Sequence, residues 1–174
     1  EEMLPKAIIF DFDGVICESV QIKVDAFRRL FSAYPEHIEG ILAYHMENGG
    51  VSRFEKFKVI HRDILKKELT PEESRRLSDL FTQYCYEAVV QAPYVHGALE
   101  FLQKHHSTIK LFIASGTPLE EMLSVVKARH LEKFFCGVYG SPATKAQIIA
   151  RIMREHAFKK EDIVFVGDSI TDYE

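Results

Sequence analysis

The chain has 174 residues, of which 47% are hydrophobic and 28% charged, with a net charge of −4. That is enough apolar material for one domain, or for a core carrying one insert. The missing basic excess argues against a nucleic-acid partner, and no apolar run approaches the roughly 20 residues a membrane span needs.

Cys17, Cys85 and Cys136 are an odd set without CxxC spacing, so buried reduced thiols of an intracellular protein are expected. The eight histidines form no HExxH pattern and are expected to be mostly structural or solvent-facing. The first residues lead straight into an apolar run with no signal-peptide pattern, which makes the cytoplasm the expected location.

Residues 7–10 are a short β-branched-rich run ending at Asp11, the pattern of a buried strand in a parallel sheet. The stretch that follows holds no convincing strand. Helices are expected over 20–34, 35–48 (broken by Gly49-Gly50), 54–69 and 70–90, the last opened by the capping box Thr70-Pro71-Glu72-Glu73. Four helices in succession predict a small bundle, inserted as a cap over residues 17–92 within a core made of 1–16 and 93–174. Pro93 marks the return to that core. Next come a helix over 96–105, a strand over 111–114, and a helix over 117–130 opened by Thr117-Pro118-Leu119-Glu120. A weaker strand over 135–139, a helix over 144–156 and a strand over 163–166 follow. Alternating strand and helix predict a doubly wound α/β fold with a parallel sheet. Such a sheet normally continues with another helix and strand, so further C-terminal sequence is expected.

Ligands of an open α/β sheet bind at the carboxyl ends of its strands, and four polar constellations fall there. Asp11-Phe12-Asp13-Gly14 places two carboxylates two residues apart on an extended segment, hence on one face. Like charges that close call for a cation, and Mg²⁺ prefers such oxygen donors; an ordinary pair of turn acids is the less favoured alternative. Ser115-Gly116-Thr117 joins a hydroxyl, a glycine and a helix start into an anion site, although Thr117 as a simple N-cap explains it alone. Lys145 lies at a helix start, where the dipole disfavours a cation, so either an anion is near or the lysine is solvated. Gly167-Asp168-Ser169-Ile170-Thr171-Asp172 carries two acids four apart, which N-capping by Asp168 or Ser169 would also explain. Their common order and strand-end placement make the set far more specific than any member.

The ordered set Asp11-x-Asp13, Ser115, Lys145 and Gly167-Asp168-x-x-x-Asp172 resembles the haloacid dehalogenase superfamily, in its phosphatase branch with a helical cap after the first strand. The resemblance implies that Asp11 is the nucleophile and forms an aspartyl-phosphate. Asp13 is then the acid that protonates the leaving oxygen and the base that activates water. It also implies Mg²⁺ held by Asp11, the backbone carbonyl of Asp13 and Asp168, with Asp172 in support, and a phosphoryl group held by Ser115, Gly116 and Lys145. Gly50-Val51-Ser52-Arg53 resembles the substrate-recognition loop of β-phosphoglucomutase-like members, where the arginine contacts a second anionic group. Glu18, Ser19 and Lys23 follow the Asp11–Gly14 turn and are expected to face the site. Two departures from those members, Ala146 where proline usually follows the lysine and Lys23 at the usual cap histidine, favour a hydrolase over a mutase.

The implied activity is hydrolysis of a small phosphorylated metabolite. One alternative is a phosphomutase, told apart by an isomerised product in place of free phosphate. Another is a non-catalytic aspartyl-phosphate signalling module, which Asp13 and the inserted helices disfavour.

Overall fold

The computed structural model describes residues 3–167. Strands β1 (Ala7–Phe10), β2 (Lys110–Pro118), β3 (Gly137–Ser141) and β4 (Ile163–Val166) form one parallel sheet in the order β3-β2-β1-β4. β1 is therefore flanked on both sides, and its four residues are all buried. Its alternation feeds two cores. Ala7 and Ile9 pack with Phe112, Ala114, Ile148 and Ile152 on one face of the sheet, whereas Ile8 and Phe10 join a larger cluster on the other. Helix α7 (Lys145–His156) covers the first face; α5 (Ala98–His105) and α6 (Leu119–Ala128) supply Leu102, Met122 and Val125 to the second. Helices on both faces of a parallel sheet are the expected doubly wound arrangement.

Four helices lie between β1 and α5: α1 (Val20–Leu30), α2 (Ile38–Glu47), α3 (Arg53–Val59) and α4 (Pro71–Gln91). The chain enters and leaves this segment through one narrow crossing. Cys17 pairs antiparallel with Tyr94, Glu18 N–H donates to the Pro93 carbonyl (2.9 Å), and Val95 N–H donates to that of Ile16 (2.9 Å). Phe27, Phe31, Ile41, Phe57, Ile60 and Phe81 fill the space among the four helices. α4 begins where the sequence predicts, with Pro71 in its first turn and Thr70 Oγ1 accepting from Glu73 N–H (3.1 Å). α7 opens with a full capping box between Thr144 and Gln147.

Several boundaries differ from expectation. The helix expected over 54–69 is α3 continued by a wider π-type turn, Ile60–Leu65, which ends where Lys66 takes a left-handed φ of 53°. The helix expected over 117–130 starts at Leu119, and Thr117 does not cap it. Instead β2 runs on through an irregularity between Ala114 and Pro118, so that Pro118 pairs with Ser141 of β3. Thr117 stays extended, donating its N–H to Ser115 Oγ (3.1 Å) and accepting from Lys23 Nζ (2.8 Å), which leaves its hydroxyl unavailable to a helix. Cys17 and Cys85 are buried free thiols as expected, but Cys136 is exposed. Among the described residues no helix is long and apolar enough to cross a membrane.

Candidate active site

The register of β1 carries the chain directly into the site. Asp11 follows the last residue of the strand and is still tied to β4, its N–H donating to the Val166 carbonyl (2.9 Å). It is buried at 5% exposure, and Oδ1 accepts from Phe12 N–H (2.7 Å). Gly14 then takes a left-handed φ of 78°, which lets the chain turn sharply under the carboxylates. Phe12, between the two acids, is driven into the core at 1% exposure, so Asp11 and Asp13 come to line one cavity.

Each acid meets a cation, Asp13 one from the nearby helix α1 and Asp11 one from far along the chain. Lys145 Nζ lies 2.9 Å from Asp11 Oδ2, both side chains largely buried. This accounts for a lysine at the N-terminal end of α7: the carboxylate offsets the unfavourable helix dipole. Asp13 accepts from Ser19 Oγ (2.6 Å) and from Lys23 Nζ (2.6 Å), and Lys23 also donates to Thr117 Oγ1. Burial pushes the Lys23 ammonium down, but the charge and hydrogen bond of Asp13 outweigh it, so it titrates above the ordinary lysine range.

Ser115 is buried at the end of β2, and Gly116 beside it lines the Asp11 cavity. A Cβ on Gly116 would stand 2.9 Å from the Gly50 carbonyl oxygen and 3.1 Å from that of Val51. Only glycine lets the strand end approach the loop before α3 so closely.

The family model for haloacid dehalogenase-like hydrolase matches residues 5–174. The chain belongs to that family. It is 28% identical over 130 residues to a phosphorylated carbohydrates phosphatase of Thermotoga maritima, a match covering 75% of this chain and 58% of the relative. The chain thus spans somewhat more than half the length of that curated relative. Its fold matches a predicted phosphoglycolate phosphatase of Haemophilus somnus (TM-score 0.74, 17% identity, 99% of this chain and 80% of that one). It also matches CbbY of Rhodobacter sphaeroides, solved with phosphate (TM-score 0.72, 18% identity, 96% and 79%).

The dehalogenase-like fold thus brings together Asp11, Asp13, Lys23, Gly116 and Thr117 around one cavity, with Lys145 bonded to Asp11 and Ser115 behind Thr117. The donor chemistry fits a hard divalent cation: two carboxylates stand at a strand end, and hard cations prefer oxygen ligands. Asp168 and Asp172, the other expected metal ligands, lie outside the described residues. Among the described residues alone, no group of three His, Cys, Asp or Glu side chains is placed to hold a metal.

Two expected residues are used differently. Glu18 is exposed, and the cavity that holds Asp11 and Asp13 is lined without it. Arg53 lines the cavity but spends its fork elsewhere. Nη1 and Nη2 reach Glu121 of α6 (3.3 and 2.6 Å), and Nη1 also donates to the Ser78 carbonyl (3.2 Å) and Thr82 Oγ1 (2.7 Å). The guanidinium lies 4.6 Å above the Phe81 ring and the residue is 5% exposed.

Two cavity residues escape the sequence reading. His45 and Lys56 are buried (8% and 3% exposed) and line the cavity with Asp11. Lys56 Nζ stands 2.9 Å from His45 Nδ1 and 3.3 Å from the His45 carbonyl. Burial, then the charges of Lys56 and Lys23, push the imidazole down to about 3. Burial, then the charge of Lys23, pushes the Lys56 ammonium down to about 7. One signal for Lys56 existed: Arg53, Lys56, Phe57 and Ile60 form the buried i, i+3, i+4, i+7 stripe of α3, so two cations stand where apolar residues belong.

Proposed function

We propose that this chain is a magnesium-dependent phosphatase that hydrolyses a small phosphorylated metabolite through an aspartyl-phosphate at Asp11. The observation that carries the reading is the buried contact between Lys145 Nζ and Asp11 Oδ2, across 134 residues of sequence, in a site also holding the Asp13 carboxylate. A nucleophilic carboxylate with an adjacent fixed cation and a second carboxylate two residues on is what two-step phosphoryl transfer requires.

In the first step a carboxylate oxygen of Asp11 bonds to phosphorus, and the bond from phosphorus to the ester oxygen breaks. Asp13, which takes up a proton before this step, gives it to the departing alkoxide. In the second step water attacks the same phosphorus while Asp13 takes back a proton, the bond to Asp11 breaks, and orthophosphate leaves. Lys145, Ser115 and the Gly116 backbone hold the phosphoryl oxygens. Lys23 and Ser19, both bonded to Asp13, fix the aim of its carboxylate. Mg²⁺, when bound by Asp11, the Asp13 carbonyl, Asp168 and Asp172, would neutralise charge shared by nucleophile and phosphate.

The segment 17–92 acts as a cap over a core of 1–16 and 93–174, joined through the Cys17–Tyr94 crossing. Its loop at Gly50 and Val51 closes onto Gly116, which restricts the site to small substrates. The sugar and glycolate phosphatases among its relatives support this substrate range, and three free cysteines suit a reducing cytoplasm.

The test is phosphate release from a panel of small phosphate monoesters, with Mg²⁺ and with EDTA, by wild type and Asp11→Asn. Magnesium-dependent release that disappears in Asp11→Asn is expected. Isomerised sugar phosphate without free phosphate would indicate a mutase, and no turnover by folded protein would overturn both.

A further inference from the structure

Four basic side chains surround the phosphoryl site, and three of them have an acid. Lys145 has Asp11, Lys23 has Asp13, and Arg53 has Glu121. Lys56 is the exception: among the described residues no carboxylate lies within ion-pair distance of it. Its only bonded partner among them is His45, through Nδ1 and the backbone carbonyl. With the lysine donating to Nδ1, the ring proton of His45 stands on Nε2. The imidazole is held flat against Phe27, ring centroids 4.1 Å apart, so its two acceptors have a fixed aim. They take two of the three ammonium protons. The third is uncommitted among the described residues, on a side chain that lines the cavity holding Asp11 and Asp13.

A buried ammonium with no counter-charge is costly, and the burial that lowers its proton affinity reports that cost. Packing does not require it, since an apolar side chain of the same length would fill the α3 stripe beside Phe57 and Ile60. A costly feature with no structural return belongs to ligand binding in such a setting. We propose that Lys56, positioned by His45, is the specificity-determining residue of this cavity and takes a second anionic group of the substrate, a carboxylate or second phosphate. Arg53 does not serve, because its fork is committed to Glu121, Thr82 and Ser78.

The room available limits the substrate. Lys56 lines a cavity of about 40 Å³, which shares Asp11, Asp13, Lys23, His45 and Gly49 with an adjoining one of about 240 Å³. That suits a compact phosphorylated acid rather than a long or bulky ester. The assignment rests on the phosphatase reading for the position of the transferred phosphoryl group, but its test does not need turnover.

Calorimetric titration of the full chain, with saturating Mg²⁺, compares methylphosphonate with ω-phosphonocarboxylates of one to three methylenes and with methylenebisphosphonate. Wild type is expected to prefer at least one doubly anionic ligand by about 30-fold, and Lys56→Met to cut that preference about tenfold or more. Lys56→Gln, which keeps a polar tip, gives the same loss, and both variants are checked for folding by circular dichroism. Preference for carboxylates alone assigns the group as carboxylate; preference for the bisphosphonate alone assigns it as phosphate. No preference in wild type, or the same preference in either folded variant, overturns the proposal. Phosphate release from p-nitrophenyl phosphate by wild type, lost in Asp11→Asn, separates the two readings. Release without a charge preference sinks only the Lys56 assignment, whereas a Lys56-dependent preference without release sinks only the phosphatase.

Discussion

The two halves of the cavity follow different rules. On the sheet side, Asp11 and Asp13 continue β1, Ser115 and Gly116 lie in the irregular last part of β2, and Lys145 opens α7. Strand register fixes these positions, and both acids are matched by cations within 2.9 Å. On the cap side, Arg53 and Lys56 project from one helical stripe, and their surroundings decide their use. Arg53 finds an acid on α6, and among the described residues Lys56 finds only the imidazole and carbonyl of His45. The sheet side is built to hold a defined charge arrangement, while the cap side keeps one charge unanswered among the described residues. On the proposed function, chemistry belongs to the first half and choice of substrate to the second.

Breaking the sheet side should have the largest effect. Asp11→Asn removes the proposed nucleophile, and phosphate release is expected to fall by about 10⁴ or more; a loss under about tenfold would mean the covalent step is not at Asp11. Lys145→Met leaves the nucleophile but removes the cation beside it. Release should fall by about 10²–10³, mainly in kcat, as for other groups that stabilise transition-state charge. An effect confined to KM would restrict Lys145 to ground-state binding.

The link between the halves comes next. Arg53→Met leaves the buried Glu121 carboxylate with Thr82 Oγ1 but without its cation. Breaking one member of a buried pair typically costs about 3–5 kcal/mol, so a fall in Tm of roughly 10 °C is expected. Pairing it with Glu121→Met should recover much of that loss. Additive losses in a thermal double-mutant cycle would show that the bridge is not what joins α3 to α6.

The same division explains what could be known from the sequence. The gathering of Asp11, Asp13, Ser115 and Lys145 at one edge was legible because a parallel sheet delivers its strand ends there, whatever the details of packing. Thr117 was misread because Thr-Pro-x-Glu satisfies a capping pattern locally, while the pairing of Pro118 with Ser141 that keeps it extended is non-local. The π-type turn after Val59 leaves the spacing of Ile60 and Ile64 looking helical, so the pattern did not show it. Arg53 was legible as a special residue but not in its partner, since nothing local points to Glu121, 68 residues on. Lys56 was missed because an unbroken helical phase across 53–60 is needed before two cations on the apolar stripe stand out, and His45 because a single histidine on a helix looks structural until its neighbour Lys56 is known. Charge is read from composition, but whether it is answered is read only from tertiary contacts.

Lys56 gives the smallest expected effect and tests the contrast most closely, because its sign is opposite to the others. The group titrates near 10.5 when unfolded and at about 7 in the fold. Below pH 7 both states carry the proton, and the fold bears the whole cost of the buried charge. Between pH 7 and 10.5 the unfolded chain holds a proton that the folded chain has shed, so wild-type stability rises with pH through that window. Methionine carries no charge at any pH. Lys56→Met is therefore expected to raise Tm by roughly 3–6 °C at pH 7, the gain shrinking steadily towards pH 10. The neighbouring charges that bear on it, Lys23, Asp13, Lys145 and Arg53, are common to both proteins, so the difference between the two melting curves isolates this residue. A lower Tm in the variant at pH 7 would mean that the contact with His45 supports the fold and that the ammonium is no burden. A pH-independent gain would mean that the buried amine is uncharged throughout, leaving the cap side of the cavity without the charge its selectivity requires.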